Sequence, residues 1–569
     1  MSSATKQPES VTGVQLAQGI GHQPAQGFWT EAFGQVIRRP AAVLGMIWVA
    51  IVAFFAIFSP VIASGHPIVM WAINEDGSRG AMSSPMLKML TLADVVLIVW
   101  GLWAPILIFL PIRKLKVGEK LRLIIAAGVQ LAIGVVLVGS VSSIFGNPNA
   151  SDWMRNWEQW SGFSWAAAAT IGLVSAIPFV AISIGVYKSK WRVVYVCAVV
   201  VLMTVLGGWK WSPQRVIFEY RAQETQESAH AMYTVVPFSP NQSDTALYNR
   251  APGWTPLMTI WDRLADKERV LAGDRATLND ERLGEMEVSD STFSLLRAES
   301  LKVDNLLSYP VKDVIDGLES RFDDGEIRTL LDLKRALVAI PGPINRLGTD
   351  TLGQDVLSQM LHACRLSISI GFISTGIAVV IGVTIGALMG YFGGWVDMLL
   401  YRVVEIFMAI PVLFLLIVAA SVLPRNIYFM MAIIGCFTWT GAARFVRAEF
   451  MKLRETDYVQ AAKAVGLPLW SILFKHMLPN GVTPVLVDSS FAIAAAILIE
   501  AILSYLGLGP SGQASWGKLL SNASGETSDF IWWLAIFPGA AIFLTTMAYN
   551  LIGEALRDAI DPKLKKARV

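Results

Sequence analysis

The chain has 569 residues, of which 54% are hydrophobic and 16% are charged, and its mean hydropathy is +0.52. Soluble domains carry nearer a quarter of charged residues, and a net charge of +2 excludes the basic field of a typical nucleic-acid-binding protein. The 3 scattered cysteines and 5 histidines offer neither a disulfide framework nor the ligand spacing of a metal site. The composition therefore indicates a membrane protein.

The N-terminal segment 1–40 is polar and lacks an early apolar stretch, so we expect a cytoplasmic segment and no secretory signal peptide. Arg38 and Arg39 stand directly before the first long apolar run, as they do in an uncleaved signal anchor.

Apolar blocks long enough to cross a bilayer, which takes about 20 helical residues, recur along the chain. Helix is the open-ended structure that satisfies its own backbone in lipid. The sequence therefore predicts an all-α membrane protein with about ten transmembrane helices. The predicted spans are 41–63, 91–111, 121–146, 164–187, 191–209, 366–391, 398–422, 427–446, 482–508 and 531–553.

Lys and Arg clusters near the span ends set the orientation, because such residues accumulate in cytoplasmic loops. With the N-terminus inside, all of the clusters fall on the cytoplasmic side, and the C-terminus is cytoplasmic too. We therefore expect a multi-pass protein of the bacterial inner membrane. The clusters lie at 38–39, 113–122, 188–192, 444–475 and 557–568.

The same count places residues 210–365 outside the cytoplasm. This stretch is charged, and Ile327–Ile340 carries a leucine stripe typical of a helix. A folded extracytoplasmic insert and a disordered linker both remain open as interpretations.

Three glycines, Gly382, Gly386 and Gly390, repeat at every fourth residue of one predicted span. They leave one helix face without side chains, which predicts the close approach of another helix.

The loop after the eighth span carries the strongest local pattern. Asp457 with Gln460 predicts a capping box at the start of a short helix, and Gly466 suits the left-handed residue that ends it. Pro468 then suits the first turn of a second helix, which we expect to end before Pro479.

The alanines of this loop, Ala461, Ala462 and Ala464, favour helix and leave a thin profile. The loop is predicted to be a rigid helix–turn–helix whose small-residue surface fits a groove in a partner protein.

The spacing of this loop resembles the EAA loop of ABC-importer permeases. Further segments resemble the dipeptide/oligopeptide/nickel permease family, and within it the C-type subunit. They cover about 345–562 and the first span, and they are Leu347–Ser358, Gly390–Asp397, Glu500–Gly509, Ser515–Gly517 and Asn550–Pro562.

The resemblance implies a type I permease core with a large insertion after its first helix. The implied organisation is a cytoplasmic segment 1–40, the first transmembrane helix 41–63, an inserted region 64–209 with four extra helices, an extracytoplasmic insert 210–346, a permease core 347–562 with its EAA loop 457–480, and a basic tail 563–569.

It also implies a function. The chain would translocate peptides or related small solutes, driven by two separate ATPase subunits that bind ATP and Mg²⁺. It would pair with a second permease subunit in the lipid membrane and receive cargo from an extracytoplasmic solute-binding protein. No cofactor, catalytic residue, metal site or nucleic-acid partner is expected in this chain.

The residues that the resemblance and the loop pattern single out fall into three groups. The ATPase-coupling loop comprises Asp457, Tyr458, Gln460, Ala461, Ala462, Gly466, Leu467, Leu478 and Pro479. The outer loop signature comprises Gly348, Asp350, Gly353 and Asp355. Glu500 is a candidate for the translocation path, because an intramembrane carboxylate is a functional candidate by default.

The chain departs from the family pattern at named positions. Gln460 replaces the usual Glu of the EAA motif, which removes a charge near a helix N-terminus. Gln354 replaces the usual Arg of the outer signature. Residues 64–345 stand where the family has a short external loop, and an even number of added spans preserves the orientation of the core.

Structural interpretations stand beside the functional ones. Glu500 lines the path or only holds neighbouring helices together. Arg402 and Glu405, three residues apart, favour an intrahelical ion pair. Asp350 and Asp355 cap turns or face a solute-binding protein.

Two rival functions belong to other classes. An ion-coupled secondary transporter would carry several intramembrane ionisable residues and inverted repeats, and an intramembrane enzyme or sensor would need a nucleophile or metal cluster within 64–345. Gly507–Gly512 matches a dinucleotide-binding pattern but follows a predicted transmembrane helix rather than a strand, so it is interpreted as a chance match.

Overall fold

The computed structural model describes most of the predicted helices and part of the predicted insert. The described residues are 34–73, 79–109, 117–145, 163–183, 189–210, 229–243, 249–252, 271–272, 275–280, 284–289, 345–524 and 530–560. The leucine stripe at Ile327–Ile340 lies outside them.

Helices dominate the described residues. Before the extracytoplasmic stretch the helices are α1 Pro40–Ile62, α2 Pro85–Met89, α3 Leu92–Phe109, α4 Val117–Phe145, α5 Phe163–Ser183 and α6 Ser189–Lys210. After it they are α7 Val356–Phe392, α8 Gly394–Ala409, α9 Val412–Val422, α10 Ile427–Thr438, α11 Thr440–Leu453, α12 Asp457–Ala464, a π-helix Ser471–Met477, α13 Leu478–Gly481, α14 Thr483–Tyr505, α15 Trp516–Asn522 and α16 Trp532–Ile560.

A helix or a bent pair of helices coincides with every predicted span. By length and hydropathy, α1, α7, α14 and α16 are each able to cross a membrane. The α8–α9 pair, bent by 81° beside Pro411, and the α10–α11 pair, bent by 43°, each pass the same test as one broken span. Shorter apolar segments lie in α3 to α6. The predicted total of ten spans therefore stays a prediction.

The all-α expectation was wrong in one respect, because the described residues include two small antiparallel sheets. Their strands are β1 Val69–Ile73, β2 Arg79–Ser83, β3 Ala229–Met232, β4 Leu271–Ala272, β5 Arg275–Asp280 and β6 Gly284–Ser289. The first sheet has the order β2-β1-β3 and the second β4-β5-β6. Short strands paired across distant stretches of sequence leave a weak signal, which explains why they were missed.

The chain divides into two compact units. The first comprises Met1–Val52, Ser367–Ser511 and Gly539–Val569, and the second comprises Ala53–Leu366 and Gly512–Pro538.

In the first unit, the glycine face of α7 packs closely against α11, as predicted. A side chain at Gly382 would meet the Trp439 carbonyl oxygen at 2.8 Å, and one at Gly386 would meet the Ala443 carbonyl oxygen at 2.5 Å. Because these are backbone atoms, only glycine allows the two helices to lie so near each other.

The ends of the chain meet within the same unit. Trp48 of α1 donates a hydrogen bond to Thr545 Oγ1 of α16 at 3.0 Å, and Arg39 pairs with Asp558 at 2.5 Å. These contacts join the first helix, which is distant in sequence, to the permease-like C-terminal part.

In the second unit, α3 to α6 share an apolar core. Its buried members include Val96, Leu131, Ile171 and Met203. A salt bridge between Asp94 of α3 and Arg365 of α7 then fixes this group of helices to the beginning of α7.

Candidate functional site

The coupling segment, defined as residues 454–481, contains α12, the π-helix and α13. Thr456 has extended backbone dihedrals and stands at the N-cap of α12, so the predicted cap at Asp457 was wrong by one residue. Asp457 is the first helical residue, and the Gln460 amide donates to the Arg454 carbonyl oxygen at 2.8 Å instead of closing a capping box.

The end of α12 has the predicted form. Gly466 has φ +78° and donates its N–H to the Lys463 carbonyl oxygen at 3.0 Å. The Leu467 N–H reaches back to the Ala462 carbonyl oxygen at 3.2 Å. This pair of bonds is a Schellman motif, which satisfies the last carbonyls and reverses the chain.

The second half of the coupling segment is helical beyond the expected end. The Pro468 carbonyl oxygen accepts the N–H of Ser471 at 2.9 Å, so Pro468 precedes the helix rather than lying in its first turn. Pro479 lies in the first turn of α13, so the expected end before Pro479 was wrong. A proline at that position is tolerated because its missing N–H would have no helical partner there.

One face of the coupling segment is built into the protein. Val459 and Ala462 of α12 are buried in an apolar cluster with Phe450 of α11 and with Leu473 and Met477 of the π-helix. Val383 and Ala387 of α7 complete that cluster. A force on the segment is therefore transmitted to α7 and α11 through close-packed side chains.

The opposite face is apolar and exposed. Tyr458 is 40% exposed, Val465 is 79% exposed and Trp470 is 70% exposed. The rings of Trp470 and Phe474 stack with centroids 4.0 Å apart, which holds the tryptophan in place. Exposed apolar groups on a rigid support are typical of a surface that binds another protein.

Polar contacts join the two halves of the segment. Asn480 donates to the His476 carbonyl oxygen at 3.0 Å and approaches the Tyr458 hydroxyl at 3.4 Å. Lys463 lies over the ring of Tyr391 in α7, 4.9 Å from its centroid. These contacts favour movement of the segment as one body. The predicted residues Ala461, Leu467, Leu478 and Pro479 all lie within it.

The signature turn, defined as residues 345–359, lies in the second unit. Asp350 Oδ1 accepts the N–H groups of Leu352 at 2.8 Å and Gln354 at 2.9 Å, and its Oδ2 accepts from the Gln359 amide at 2.7 Å. Gly353 has φ +70°, which the tight turn requires.

Asp355 is the N-cap of α7. Its Oδ2 accepts the Ser358 N–H at 2.7 Å, and its Oδ1 accepts from the Asn345 amide at 2.9 Å. The interpretation of Asp350 and Asp355 as turn caps is therefore confirmed, whereas a contact with a solute-binding protein stays a prediction.

Residues 249–252 close the signature turn from the side. The Arg250 carbonyl oxygen accepts the Thr349 N–H at 2.9 Å, and the Arg250 N–H donates to Thr349 Oγ1 at 2.8 Å. Gly348, with φ +79°, has so little space that a side chain there would lie 3.1 Å from the Pro252 nitrogen. Trp533 donates to the Thr349 carbonyl oxygen at 3.0 Å and covers the turn.

Glu500 lies inside the first unit. Its side chain is 0% exposed, and Ser504 Oγ donates to its Oε1 at 2.7 Å. This position fits a carboxylate that holds the fold, and lining of the path stays a prediction. Arg402 and Glu405 form the predicted intrahelical ion pair at 2.5 Å.

The sequence stage missed two ionisable groups on apolar helices. Asp397 of α8 pairs with Arg447 of α11 through two hydrogen bonds of 2.5 and 2.7 Å. Asp488 of α14 is half-buried near Arg444 of α11. An acidic residue within two turns of the start of a predicted span was the available signal.

The described residues contain no group of three or more His, Cys, Asp or Glu side chains able to hold a metal ion.

Two family models match the chain. Residues 382–566 match the binding-protein-dependent transport system inner membrane component, and residues 27–76 match the N-terminal transmembrane domain of oligopeptide transport permease C. The dipeptide transport system permease protein DppC of Alkalihalophilus pseudofirmus is 36% identical over 40% of this chain and 74% of its own length. The chain belongs to this family of ABC-importer permease subunits.

Other relatives align over a similar part of the permease. The glutathione transport system permease protein GsiD of Pectobacterium atrosepticum is 37% identical over 40% of this chain and 75% of its own length. The peptidoglycan transport system permease protein YejE of Agrobacterium fabrum is 38% identical over 39% of this chain, which spans 58% of that relative. Among solved structures, the inward-facing MetNI methionine ABC transporter aligns with 16% identity and a TM-score of 0.29, over 35% of this chain and 96% of that one.

Proposed function

We propose that the permease translocates peptides or related small solutes and that separate ATPase subunits drive it through the coupling segment. The observation that carries this proposal is the two-sided construction of α12. Val459 and Ala462 are buried among spanning helices, while Tyr458, Val465 and Trp470 are exposed.

An ATPase groove that closes on the exposed face would pull on the buried face as well. Because the Schellman turn at Gly466 and the stacked Trp470 fix the shape of the segment, little of that movement is lost in bending. The helices α7 and α11 would then rock between two arrangements, as in a rigid-body transition.

The complete importer contains this chain, a second permease subunit, two ATPase subunits and an extracytoplasmic solute-binding protein. Relatives named for dipeptide, oligopeptide and glutathione transport support a peptide-like solute. The Lys and Arg clusters support an inner-membrane location with both termini in the cytoplasm, which puts the coupling segment on the ATPase side. ATP and Mg²⁺ are bound by the ATPase subunits and not by this chain.

The test is peptide uptake into proteoliposomes that contain the complete importer, with and without enclosed ATP. We expect uptake to require ATP and to persist when ionophores remove all ion gradients. Uptake that follows an ion gradient without ATP would instead establish the ion-coupled transporter.

The coupling face is tested with Val465→Asp, which places a charge in the centre of the exposed apolar surface. We expect ATPase subunits to be lost from the purified complex and uptake to fall at least tenfold, because a charge buried without a partner costs several kcal/mol. The matched variant Val465→Ile keeps the surface apolar and should retain both. Normal uptake by Val465→Asp would disprove the coupling role.

A further inference from the structure

The α14 helix carries an acidic residue on a surface that the first unit leaves open. Asp488 lies five residues after Thr483, in a helix that is otherwise strongly apolar. A side chain at Gly441 of α11 would lie 3.8 Å from Asp488 Oδ2, so the carboxylate stands directly over that glycine. No bulky side chain covers it from there.

Arg444 lies on the next turn of α11 and acts electrostatically on the Asp488 carboxylate. It is exposed, in contrast to Arg447 on the same helix, which is held by two hydrogen bonds to Asp397. One arginine of α11 is therefore a structural cross-link, and the other is presented at a surface.

The neighbours of these two groups are small. Helical periodicity places Ala448 beside Arg444 on α11 and Ala495 on the same face of α14 as Asp488. Both alanines are exposed. We call this set, Gly441, Arg444, Ala448, Asp488 and Ala495, the polar face. It offers one negative and one positive group with open space around them.

Lipid is an unfavourable neighbour for such a face. A charged side chain in the hydrocarbon region costs about 2.5–3.5 kcal/mol at the helix centre, and such residues almost always face the bundle interior or a water-filled cavity. The half-buried Asp488 cannot reach the headgroups as a long Lys or Arg side chain does. The polar face therefore borders water.

The polar face is also close to the coupling segment. Arg444 lies nine residues before the end of α11, or about 14 Å along the axis, and Asp488 lies about 8 Å from the beginning of α14. Because α11 enters the segment and α14 leaves it, a movement of the segment changes the separation of the two charges.

We propose that Asp488 and Arg444 line the translocation path and recognise the charged termini of a peptide-like solute. The Asp488 carboxylate accepts from the solute's ammonium group, and the Arg444 guanidinium donates to its carboxylate. The inference rests on the proposed function for the nature of the solute, and it adds two residues that determine specificity.

Access to water is tested first in the complete importer. Asp488→Cys and Arg444→Cys are each introduced after Cys197 and Cys436, which are exposed, have been replaced by serine. A charged, membrane-impermeant thiol reagent should label both new cysteines, and a bound peptide should slow the reaction. The buried Cys364 is an unreactive internal control, and Lys452→Cys on the exposed surface is the positive control. Absence of labelling at positions 444 and 488 would overturn the inference.

Specificity is tested by uptake of one dipeptide in free, N-acetylated and C-amidated forms. Asp488→Asn should reduce the apparent affinity for the free dipeptide about tenfold and leave the N-acetylated form unchanged, whereas Arg444→Gln should do the same with respect to C-amidation. An equal loss for all three solutes would show a structural role and overturn recognition. Failure of the proposed function is distinct, because labelling of the two cysteines does not depend on uptake.

Discussion

The coupling segment and the signature turn satisfy their surface groups in opposite ways. In the coupling segment, one face is packed into the protein and the other leaves Tyr458, Val465 and Trp470 open. In the signature turn, the carboxylates of Asp350 and Asp355 are buried and accept hydrogen bonds from their own neighbourhood. Both stretches match family motifs, yet one is completed by another molecule and the other by itself.

This difference teaches how to interpret a motif. A pattern whose polar groups are satisfied internally supports the fold, and its loss should lower stability everywhere. A pattern that leaves apolar groups exposed on a rigid support serves a partner, and its loss should lower assembly and leave stability intact. The variants below separate these outcomes by measuring thermal unfolding and ATPase association on the same samples.

The largest effect is expected for Asp355→Ala in the signature turn. It removes the N-cap of α7 and leaves the buried Asn345 amide without this acceptor, so we expect a loss of about 2–3 kcal/mol. The measurement is thermal unfolding of the purified importer, with ATPase content determined in parallel. Asp355→Asn keeps a cap acceptor and should lose much less. Reduced ATPase binding at unchanged stability would reverse the comparison.

An intermediate effect is expected for Gly466→Ala in the coupling segment. No atom lies within 4 Å of the added methyl group, so the cost is that of φ +78° alone, about 1 kcal/mol. We expect the end of α12 to fray and the affinity for ATPase subunits to fall several-fold, as measured by titration with the purified ATPase. Gly466→Asn tolerates the left-handed conformation better and should bind more tightly than the alanine variant.

The smallest effect is expected for Gln460→Glu, which restores the residue usual in the family. The substitution loses the hydrogen bond to the Arg454 carbonyl oxygen at an exposed site and gains a favourable charge near the N-terminus of α12. These changes nearly cancel, so stability should change by less than about 0.5 kcal/mol. A large gain in ATPase affinity would instead reveal a cationic partner for position 460.

The sequence predicted the elements whose signal is local. Gly466 as a helix end and Asp350 and Asp355 as caps follow from residue types at fixed spacing, and the Gly382–Gly386–Gly390 face follows from helical periodicity. The path of the coupling segment beyond Pro468 was mispredicted, because a π-helix and a proline in a first turn look like a break in sequence.

Tertiary neighbours explain the remaining misses. Asp488 and Asp397 gain their meaning from Gly441, Arg444 and Arg447 of α11, and no spacing along the chain announces these contacts. The strands β1 and β3 pair across the four helices α3 to α6, so each appears in sequence as an isolated short segment.

The contact of residues 249–252 with the signature turn makes the intervening stretch topologically independent. The chain leaves at Pro252 and returns at Asn345, and the backbone at Pro252 touches the neighbourhood of Gly348. A loop with its base fastened in this way costs only slightly more entropy when it lengthens, since the cost grows with the logarithm of its length. Evolution is therefore free to enlarge, shorten or exchange the stretch 253–344 while the helices beneath it keep their register.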